Sequence, residues 1–554
     1  MDSLVNVAPP QASGGKPYVV ARKTVITLFL PGFVLAVICL LPFLNKAYTI
    51  DDPWFLFEAR QILKTPLQPM SFPVCWMGNE TCLTQAGNLG AGTTQGLMGY
   101  LLVPVILVGG SERAAHLLQI LLVGIAILAM VKLSLRLGFT EFQAAIAGML
   151  MTAIPPFLSM ASTAMPDIAA LALGLAGTER LLAWKQEQHW HEGLIASLAL
   201  GLAPYARPQI ALLLPLGAIW LFDHSPIRKA RSQFWRQLFL WLPVAVAGCI
   251  LLAVNLLLRD RSSVVESADI LVGSGHFRAN IFAYLRYLFF PIPFTAVWLA
   301  IHWRRAPFLI ATASIPVLIT HFLVTPWRSV AQEWQVAAVF YSFAVLADVI
   351  YQHVKTQDHL GMLLDLWILI PAPAAVYLHF PLKYMLAALP AIVLMLIKEL
   401  GALPGRRQFW AFGGLIFVCA AFSFLLLVAD NDFAECGRRA AAELIAPHVA
   451  NGEKVWFNGQ WGFYWYAQEA GARVTKPGER GPQPGDLLVV GLMEGADATL
   501  NRFPHRELMD ERCYNSPHGR TVEYGAGLYS NLHGHVPWRW NPAATNDYQL
   551  WRIH

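Results

Sequence analysis

Apolar windows of about 20 residues recur along this chain, and the short segments between them hold most of its charges. The hydrocarbon core of a bilayer is about 30 Å thick, so a helix needs about 20 apolar residues to cross it. The first such window runs from Val25 to Leu44. Followed through residues 19–429, the pattern predicts a polytopic α-helical membrane protein with roughly thirteen transmembrane helices.

Two interruptions of the pattern decide how the chain is threaded through the membrane. The stretch 97–108 is short, carries Pro104 and ends at two glycines, which predicts a helix lying along the surface. The run 194–222 is broken at Pro204–Pro208, which predicts two short spans that turn outside. With these choices the basic loop 228–236 falls in the cytoplasm, as the positive-inside rule requires.

Basic residues also orient the two ends of the chain. Lys16, Arg22 and Lys23 precede the first span, so the N-terminus is predicted to be cytoplasmic. Residues 1–18 are rich in Pro, Gly, Ala and Ser and are predicted to be disordered. An odd number of spans then places residues 430–554 on the external side, the periplasmic face of a bacterial inner (plasma) membrane.

The tail, residues 430–554, has ordinary polarity and is long enough to hold its own core. Asp432 is predicted to cap a helix over 434–446. The strand-like runs that follow are Lys454–Asn458, Leu487–Gly491 and Tyr548–Ile553. Together they predict a small C-terminal α/β external domain.

A long external loop, residues 45–112, follows the first span and begins with the adjacent carboxylates Asp51 and Asp52. Pro53 comes next and opens a helical pattern, so one interpretation is that the acidic pair caps this helix. The other interpretation is functional. Two carboxylates at a membrane surface are costly unless water, a cation or a substrate compensates them.

Composition excludes a soluble enzyme with a single anchor. The 554 residues are 56% hydrophobic and 14% charged, with a mean hydropathy of +0.47. The net charge of +5 is small for this length, and no nucleic-acid partner is expected. Seven cysteines do not make a disulfide scaffold, although two external pairs could bond in an oxidising periplasm. These pairs are Cys75 with Cys82 and Cys436 with Cys513.

Ionisable residues gather at the predicted external ends of the spans. Besides the acidic pair, these are Asp167, Arg207, His276, Arg278, Arg328 and the dipeptide Lys383-Tyr384. Each has an ordinary explanation, since Asp167 can cap a helix and the cations can reach lipid head groups. Their common face suggests more, because a carboxylate can take a proton from a hydroxyl and a cation can hold a phosphate leaving group.

The order of these motifs resembles the GT-C glycosyltransferases, in particular the protein O-mannosyltransferase and lipid A aminoarabinose transferase group. The resemblance covers nearly the whole chain. The residues that carry it are Asp51-Asp52 leading a helix with Ala59-Arg60, Gly99-Tyr100, the segment from Gly109 to His116, Asp167, Arg207, Lys383-Tyr384 with Pro390, and Trp456 to Tyr464 in the tail. His116 stands where this group usually has an arginine.

The resemblance implies transfer of a sugar from a polyprenyl-phosphate donor, with inversion, to a hydroxyl of a lipid, glycan or protein. Asp51 would be the general base, and Asp52 and Asp167 would orient the acceptor or the base. Arg207, Lys383 and Tyr384 would hold the donor phosphate, with Arg278 in a weaker role. These groups would act beside membrane lipids, in which the donor's tail stays.

No cofactor is expected, because no close cluster of Asp and His with metal-ligand spacing occurs in the sequence. His276 with a carboxylate keeps a divalent metal open. Two other functions also stay open: a transporter or flippase for a lipid-linked saccharide, and a non-catalytic protein of the same fold. The absence of a two-fold internal repeat argues against a transporter.

Overall fold

The computed structural model describes residues 22–69, 71–75, 83–84, 96–221, 234–242, 245–246, 276–321, 330–476, 480–494, 496–541 and 545–554. Several predictions from the sequence fall outside these ranges: disorder over 1–18, most of the basic loop 228–236, Cys82 and Arg328.

The described N-terminal part is mainly helical. Its helices are α1 (Arg22–Leu40), α2 (Asp52–Ile62), α3 (Leu97–Leu107), α4 (Glu112–Arg136), α5 (Glu141–Ala153), α6 (Pro155–Ala161), α7 (Asp167–Glu187), α8 (Trp190–Ala206) and α9 (Leu213–Leu221). A second group of helices follows: α10 (Phe277–Tyr287), α11 (Phe294–Ile301), α12 (Ala306–Ile319), α13 (Val330–Thr356), α14 (His359–Ile368), α15 (Leu389–Gly401) and α16 (Gly405–Ala440).

Five helical segments in the described residues are long and apolar enough to cross a bilayer, or six if α5 and α6, bent by 64° at their junction, count as one span. The chain is therefore a helical, multi-pass membrane protein. The predicted number of thirteen is not confirmed. Part of the apolar pattern forms pairs of short helices, such as α10 and α11, which are joined by a turn over 288–293.

The predicted surface helix is present as α3, whose 11 residues are too few to span a bilayer. It packs on α2, and Gly99 permits the close approach, because a Cβ there would lie 2.7 Å from Cβ of Glu58. Both helices belong to the loop between α1 and α4, so the two elements form a layer beside the ends of the spans.

The C-terminal part forms a five-stranded sheet with the order β4-β3-β5-β9-β6. Its strands are β3 (Val455–Asn458), β4 (Arg473–Val474), β5 (Leu487–Gly491), β6 (Arg506–Tyr514) and β9 (Asn546–Ile553). β3 pairs in parallel with β4 and β5, whereas β9 runs antiparallel to both β5 and β6. Helix α18 (Trp461–Glu469) makes the crossover from β3 to β4, and the short α17 (Ala446–Ala450) and α19 (Ala496–Leu500) complete the helices. Two short antiparallel pairs of strands lie outside this sheet. One pair is β1 (Pro73–Val74) with β2 (Leu83–Thr84), and the other is β7 (Val522–Glu523) with β8 (Ala526–Gly527).

The predicted helix start at Asp432 is wrong. Helix α16 continues without a break from the last span through Ala440, and it is 36 residues long. Asp432 lies inside it and accepts hydrogen bonds from Ser516 and His518. The change from apolar to polar residues near 429 therefore marks the end of the apolar span and not the start of a helix.

The structure excludes one of the two candidate disulfides. Cys436 is buried and Cys513 is exposed, and both are free thiols, so that pair does not form. Cys75, which directly follows β1, is in a disulfide. Its candidate partner, Cys82, lies outside the described residues.

Helix α18 rests directly on the segment that leads into α2. At Gly462 a Cβ would lie 2.0 Å from the carbonyl oxygen of Tyr48, so only glycine fits. Tyr466 of the same helix receives a hydrogen bond of 2.8 Å from the Tyr48 backbone N–H. These contacts fix the C-terminal sheet to the beginning of the loop between α1 and α2.

We expect Gly462→Ala to lower the stability of the protein by roughly 1–3 kcal/mol, because the added methyl group forces α18 away from Tyr48. The control is Gly414→Ala in α16, where a Cβ would meet nothing within 4 Å. Alanine there is expected to be neutral or to stabilise by about 0.5–1 kcal/mol. Thermal unfolding in detergent measures both, and equal midpoints for the two variants would refute the close contact.

Candidate active site

The site lies where helix ends from distant parts of the chain meet. The beginnings of α2 and α7, the end of α8 and a short 3-10 turn over Leu382–Ala387 converge there. A small, open cavity lies between the last three of these elements. Its lining residues are Asp167, Ala170, Arg207, Gln209, Ile210, Lys383, Tyr384, Leu386 and Ala387.

Asp51 lies beside this cavity with its carboxylate facing a cation. Its Oδ2 is 3.6 Å from Nζ of Lys383, and its side chain is 38% exposed, whereas that of Lys383 is 4% exposed. Asp51 is the N-cap residue of α2 but makes no side-chain cap hydrogen bond, so capping does not explain it. A half-exposed carboxylate next to a buried ammonium is therefore available to a substrate hydroxyl.

Asp167 and Arg207 form a bidentate pair in the wall of the cavity. Arg207 Nε donates to Asp167 Oδ1 at 3.0 Å, and Arg207 Nη2 donates to Asp167 Oδ2 at 2.8 Å. Both residues are buried. This geometry fixes the plane of the guanidinium, so Asp167 orients Arg207. That Asp167 also orients the acceptor or the base stays a prediction.

Asp52 is fully buried and faces the opposite way from Asp51. Its two oxygens accept hydrogen bonds from the backbone N–H groups of Thr49, at 3.0 Å, and Ala164, at 2.8 Å. It thereby joins the start of α2 to the turn before α7. Burial raises the pKa of this carboxyl to about 7, although nearby Lys46 and the two N–H donors act against the rise.

This raised pKa predicts a pH dependence of stability. Because the pKa of the folded state lies above the ordinary value of 3.8, the folded protein keeps a proton on Asp52 that the unfolded chain has released. The resulting stabilisation is complete below about pH 4 and is lost, at about 1.4 kcal/mol per pH unit, as the pH rises to about 7.

The measurement is the difference in unfolding midpoint between wild type and Asp52→Asn from pH 4.5 to 8. A difference is needed because burial lowers the pKa of His379 to about 3, which gives the opposite slope below its ordinary value of 6.5. We expect the advantage of the wild type to shrink as the pH rises. A constant difference, like that expected for the exposed control Asp497→Asn, would contradict the assignment.

A buried charge network that sequence reasoning missed lies next to Asp52. Lys46 Nζ pairs with Oδ2 of Asp430 and also donates to the backbone oxygen and hydroxyl of Ser162, both at 3.2 Å. Asp430 in turn accepts from Tyr529 at 2.6 Å and from Thr521 at 3.1 Å. Three parts of the chain, including the C-terminal part, thus meet behind the acidic pair.

The C-terminal part also reaches the other wall of the site. Ser530 Oγ lies 3.0 Å from Nδ1 of His379, and the N–H of Phe380 donates to Oδ1 of Asn531 at 2.7 Å. His379 and Phe380 immediately precede the turn that holds Lys383 and Tyr384. The phenol ring of Tyr384 packs against Phe380 with ring centroids 5.6 Å apart. Ser530 and Asn531 therefore hold the segment that leads into this turn.

Four of the predicted residues do not line the cavity: Asp51, Asp52, His276 and Arg278. Arg278 is exposed and its guanidinium stacks over Phe282, 5.4 Å from the ring centre. His276 is the N-cap residue of α10 and makes no side-chain cap hydrogen bond. Within the part of the chain that the structure describes, no three His, Cys, Asp or Glu side chains come close enough to hold a metal ion.

No protein-family model and no curated protein sequence matches the chain. Among solved structures, it is similar to ArnT from Cupriavidus metallidurans bound to undecaprenyl phosphate, with a TM-score of 0.42 and 14% identity over 90% of this chain and 97% of that one. It is also similar to the arabinofuranosyltransferase AftD from mycobacteria, with a TM-score of 0.43 and 13% identity over 97% of this chain and 40% of that one. At these low values neither similarity establishes what the chain does, so its function is inferred from the site.

Proposed function

We propose that the protein is an inverting glycosyltransferase that moves a monosaccharide from a polyprenyl-phosphate donor to a hydroxyl acceptor on the external face of the membrane. The observation that supports this most is the 3.6 Å approach of Asp51 to Lys383 beside the cavity that Arg207 lines. A base and two phosphate-binding cations are what such a displacement needs, and they lie at one end of a bundle of apolar helices.

The reaction is a single displacement. Asp51 removes the proton from the acceptor hydroxyl, whose oxygen forms a bond to the anomeric carbon of the donor sugar. The bond from that carbon to the phosphate oxygen breaks on the opposite side, so the configuration inverts and the electron pair leaves with the polyprenyl phosphate. Lys383 and Arg207 stabilise the charge that develops on this leaving group.

Burial makes both cations effective. Lys383 is 4% exposed in its side chain and Arg207 11%, so water screens their charges little. Asp167 holds two guanidinium nitrogens of Arg207, which leaves Nη1 for the phosphate. Tyr384, whose side chain also lines the cavity, can donate its hydroxyl to the same group.

Transfer of label tests the proposal. The purified full chain is incubated with a panel of radiolabelled polyprenyl-phosphate monosaccharides and with total membrane glycans, lipids and proteins. Label in one acceptor fraction, dependent on the protein, supports a transferase and identifies the acceptor class.

Absence of transfer from every donor would refute the proposal. The same protein in vesicles would then be tested for movement of the lipid-linked sugar between leaflets. Movement without transfer would favour the flippase alternative.

A further inference from the structure

Arg286, in the last turn of α10, is a buried cation without a counter-ion. The residue is 5% exposed, and its Nε and Nη2 have no hydrogen-bond partner, in a chain whose described ion pairs include none at this residue. The hydroxyl of the next residue, Tyr287, is also buried and has no partner. Three donor groups on two adjacent residues are therefore unsatisfied.

The other buried cations near the site are paired. Lys46 has Asp430, Arg207 has Asp167 and Lys383 has Asp51. Burying an unpaired charge costs several kcal/mol after relaxation, so proteins rarely retain one without a purpose. Against this background Arg286, which has no counter-ion among the described residues, is an exception that calls for an anionic partner.

The described residues around Arg286 do not supply that partner. The carbonyl oxygens at the end of α10 accept backbone N–H groups: Phe289 donates to Arg286 at 3.0 Å and Ile292 donates to Tyr287 at 3.1 Å. The ring of Tyr287 lies 6.0 Å from the guanidinium carbon, at the limit of a cation–π contact. His535, in the C-terminal part, lies near Arg286. Burial and the positive charge of Arg286 both lower the pKa of its imidazole. A histidine carries no negative charge, so His535 is not a counter-ion for Arg286.

Arg286 and Tyr287 are also separate from the cavity that Arg207 and Lys383 line. The ring of Phe380 packs on Tyr287 on one side, with centroids 6.4 Å apart, and on Tyr384 on the other, at 5.6 Å. Arg286 does not line the cavity. A donor with a single phosphate held by Lys383 and Arg207 therefore leaves Arg286 for a different anion.

We propose that Arg286 and Tyr287 form a second anion site, which binds a phosphate group. A planar guanidinium with two free N–H directions and a phenol hydroxyl matches the oxygens of a phosphate. The phosphate can come from an anionic phospholipid head group or from the acceptor. Only the second source rests on the proposed glycosyltransferase function.

The first test measures stability with inorganic phosphate as the probe, on the full chain in detergent. All proteins carry Lys383→Met, which removes the cavity's ammonium. Adding Arg286→Met is expected to leave the unfolding midpoint in phosphate-free buffer unchanged or higher, since an apolar side chain of similar volume replaces an uncompensated charge. It is also expected to reduce the rise in midpoint that phosphate produces to what Arg207 and Tyr384 of the cavity still contribute. The control is Arg304→Met, which removes an exposed arginine stacked on Trp303 and should keep the phosphate response.

Two results would overturn the site: no rise in midpoint with phosphate in the Lys383→Met protein, or a rise that Arg286→Met leaves at its full size. A fall in midpoint with Arg286→Met in phosphate-free buffer would show that the arginine is structural.

A second test separates the two sources, using nanodiscs of phosphatidylglycerol or of phosphatidylcholine. Stabilisation by phosphatidylglycerol that needs Arg286 identifies a head group. Stabilisation by a phosphorylated glycan but not by phosphatidylglycerol identifies the acceptor. If Arg286→Met kept both responses, the site would again be refuted. Neither test depends on sugar transfer, so a failure of the proposed function would leave these results interpretable.

Discussion

Asp51→Asn is expected to lower the rate of sugar transfer by about 10²- to 10⁴-fold, the usual contribution of a general base. Asparagine has almost the same shape but cannot accept the proton of the acceptor hydroxyl. Donor binding should be unchanged or tighter, because Lys383 loses the carboxylate that lies 3.6 Å away and faces the donor phosphate alone. The measurement is kcat for transfer, together with the equilibrium affinity for the polyprenyl-phosphate donor.

The matched control is Glu469→Gln, which removes an exposed carboxylate that pairs with Arg60 at 2.7 Å, away from the cavity. It should transfer sugar at the wild-type rate. Lys383→Met should differ from Asp51→Asn, because it should weaken donor binding and also lower the rate of transfer. If Asp51→Asn transferred at more than a tenth of the wild-type rate, Asp51 would not be the base.

The sequence predicted those helices and strands whose ends coincide with the ends of an apolar run. Helix α3 was predicted as a short surface helix because its apolar run is too short to span, and strand β5, Leu487–Gly491, has its predicted bounds because a β-branched run is bounded by turns. The start of a helix at Asp432 was wrong, since α16 passes from apolar to polar surroundings without ending. Hydropathy reports the environment of a helix and not its ends.

The site could be predicted only in part, because its contacts join residues that are distant in sequence. The acidic pair was evident from its position after the first span. That Asp51 faces Lys383, whereas Asp52 turns inward to Thr49 and Ala164, depends on how the turns before α2 and α7 pack. Arg286 gives no sequence signal at all, since an arginine near a helix end is common, and only its burial distinguishes it.

The Lys46–Asp430 pair gives the largest expected effect on stability. The residues are 384 positions apart, and their side chains are 0% and 2% exposed. Lys46→Met leaves a buried carboxylate that still accepts from Tyr529 and Thr521 but has no cation, which is expected to cost about 3–5 kcal/mol. Thermal unfolding in detergent at constant pH measures this loss. The control Arg512→Met breaks an exposed pair with Asp510 and should cost at most about 1 kcal/mol.

The double variant Lys46→Met/Asp430→Leu distinguishes lost charge balance from lost packing. Removing both charges leaves no buried ion, so the double variant should be more stable than Lys46→Met alone. Recovery should be incomplete, because the hydroxyls of Tyr529 and Thr521 lose their acceptor, at about 1–3 kcal/mol for each group. A double variant no more stable than Lys46→Met would show that the lysine acts through packing. Recovery would instead show that the loss in Lys46→Met comes from the unpaired carboxylate of Asp430, which lies with Tyr529 beside Asp52.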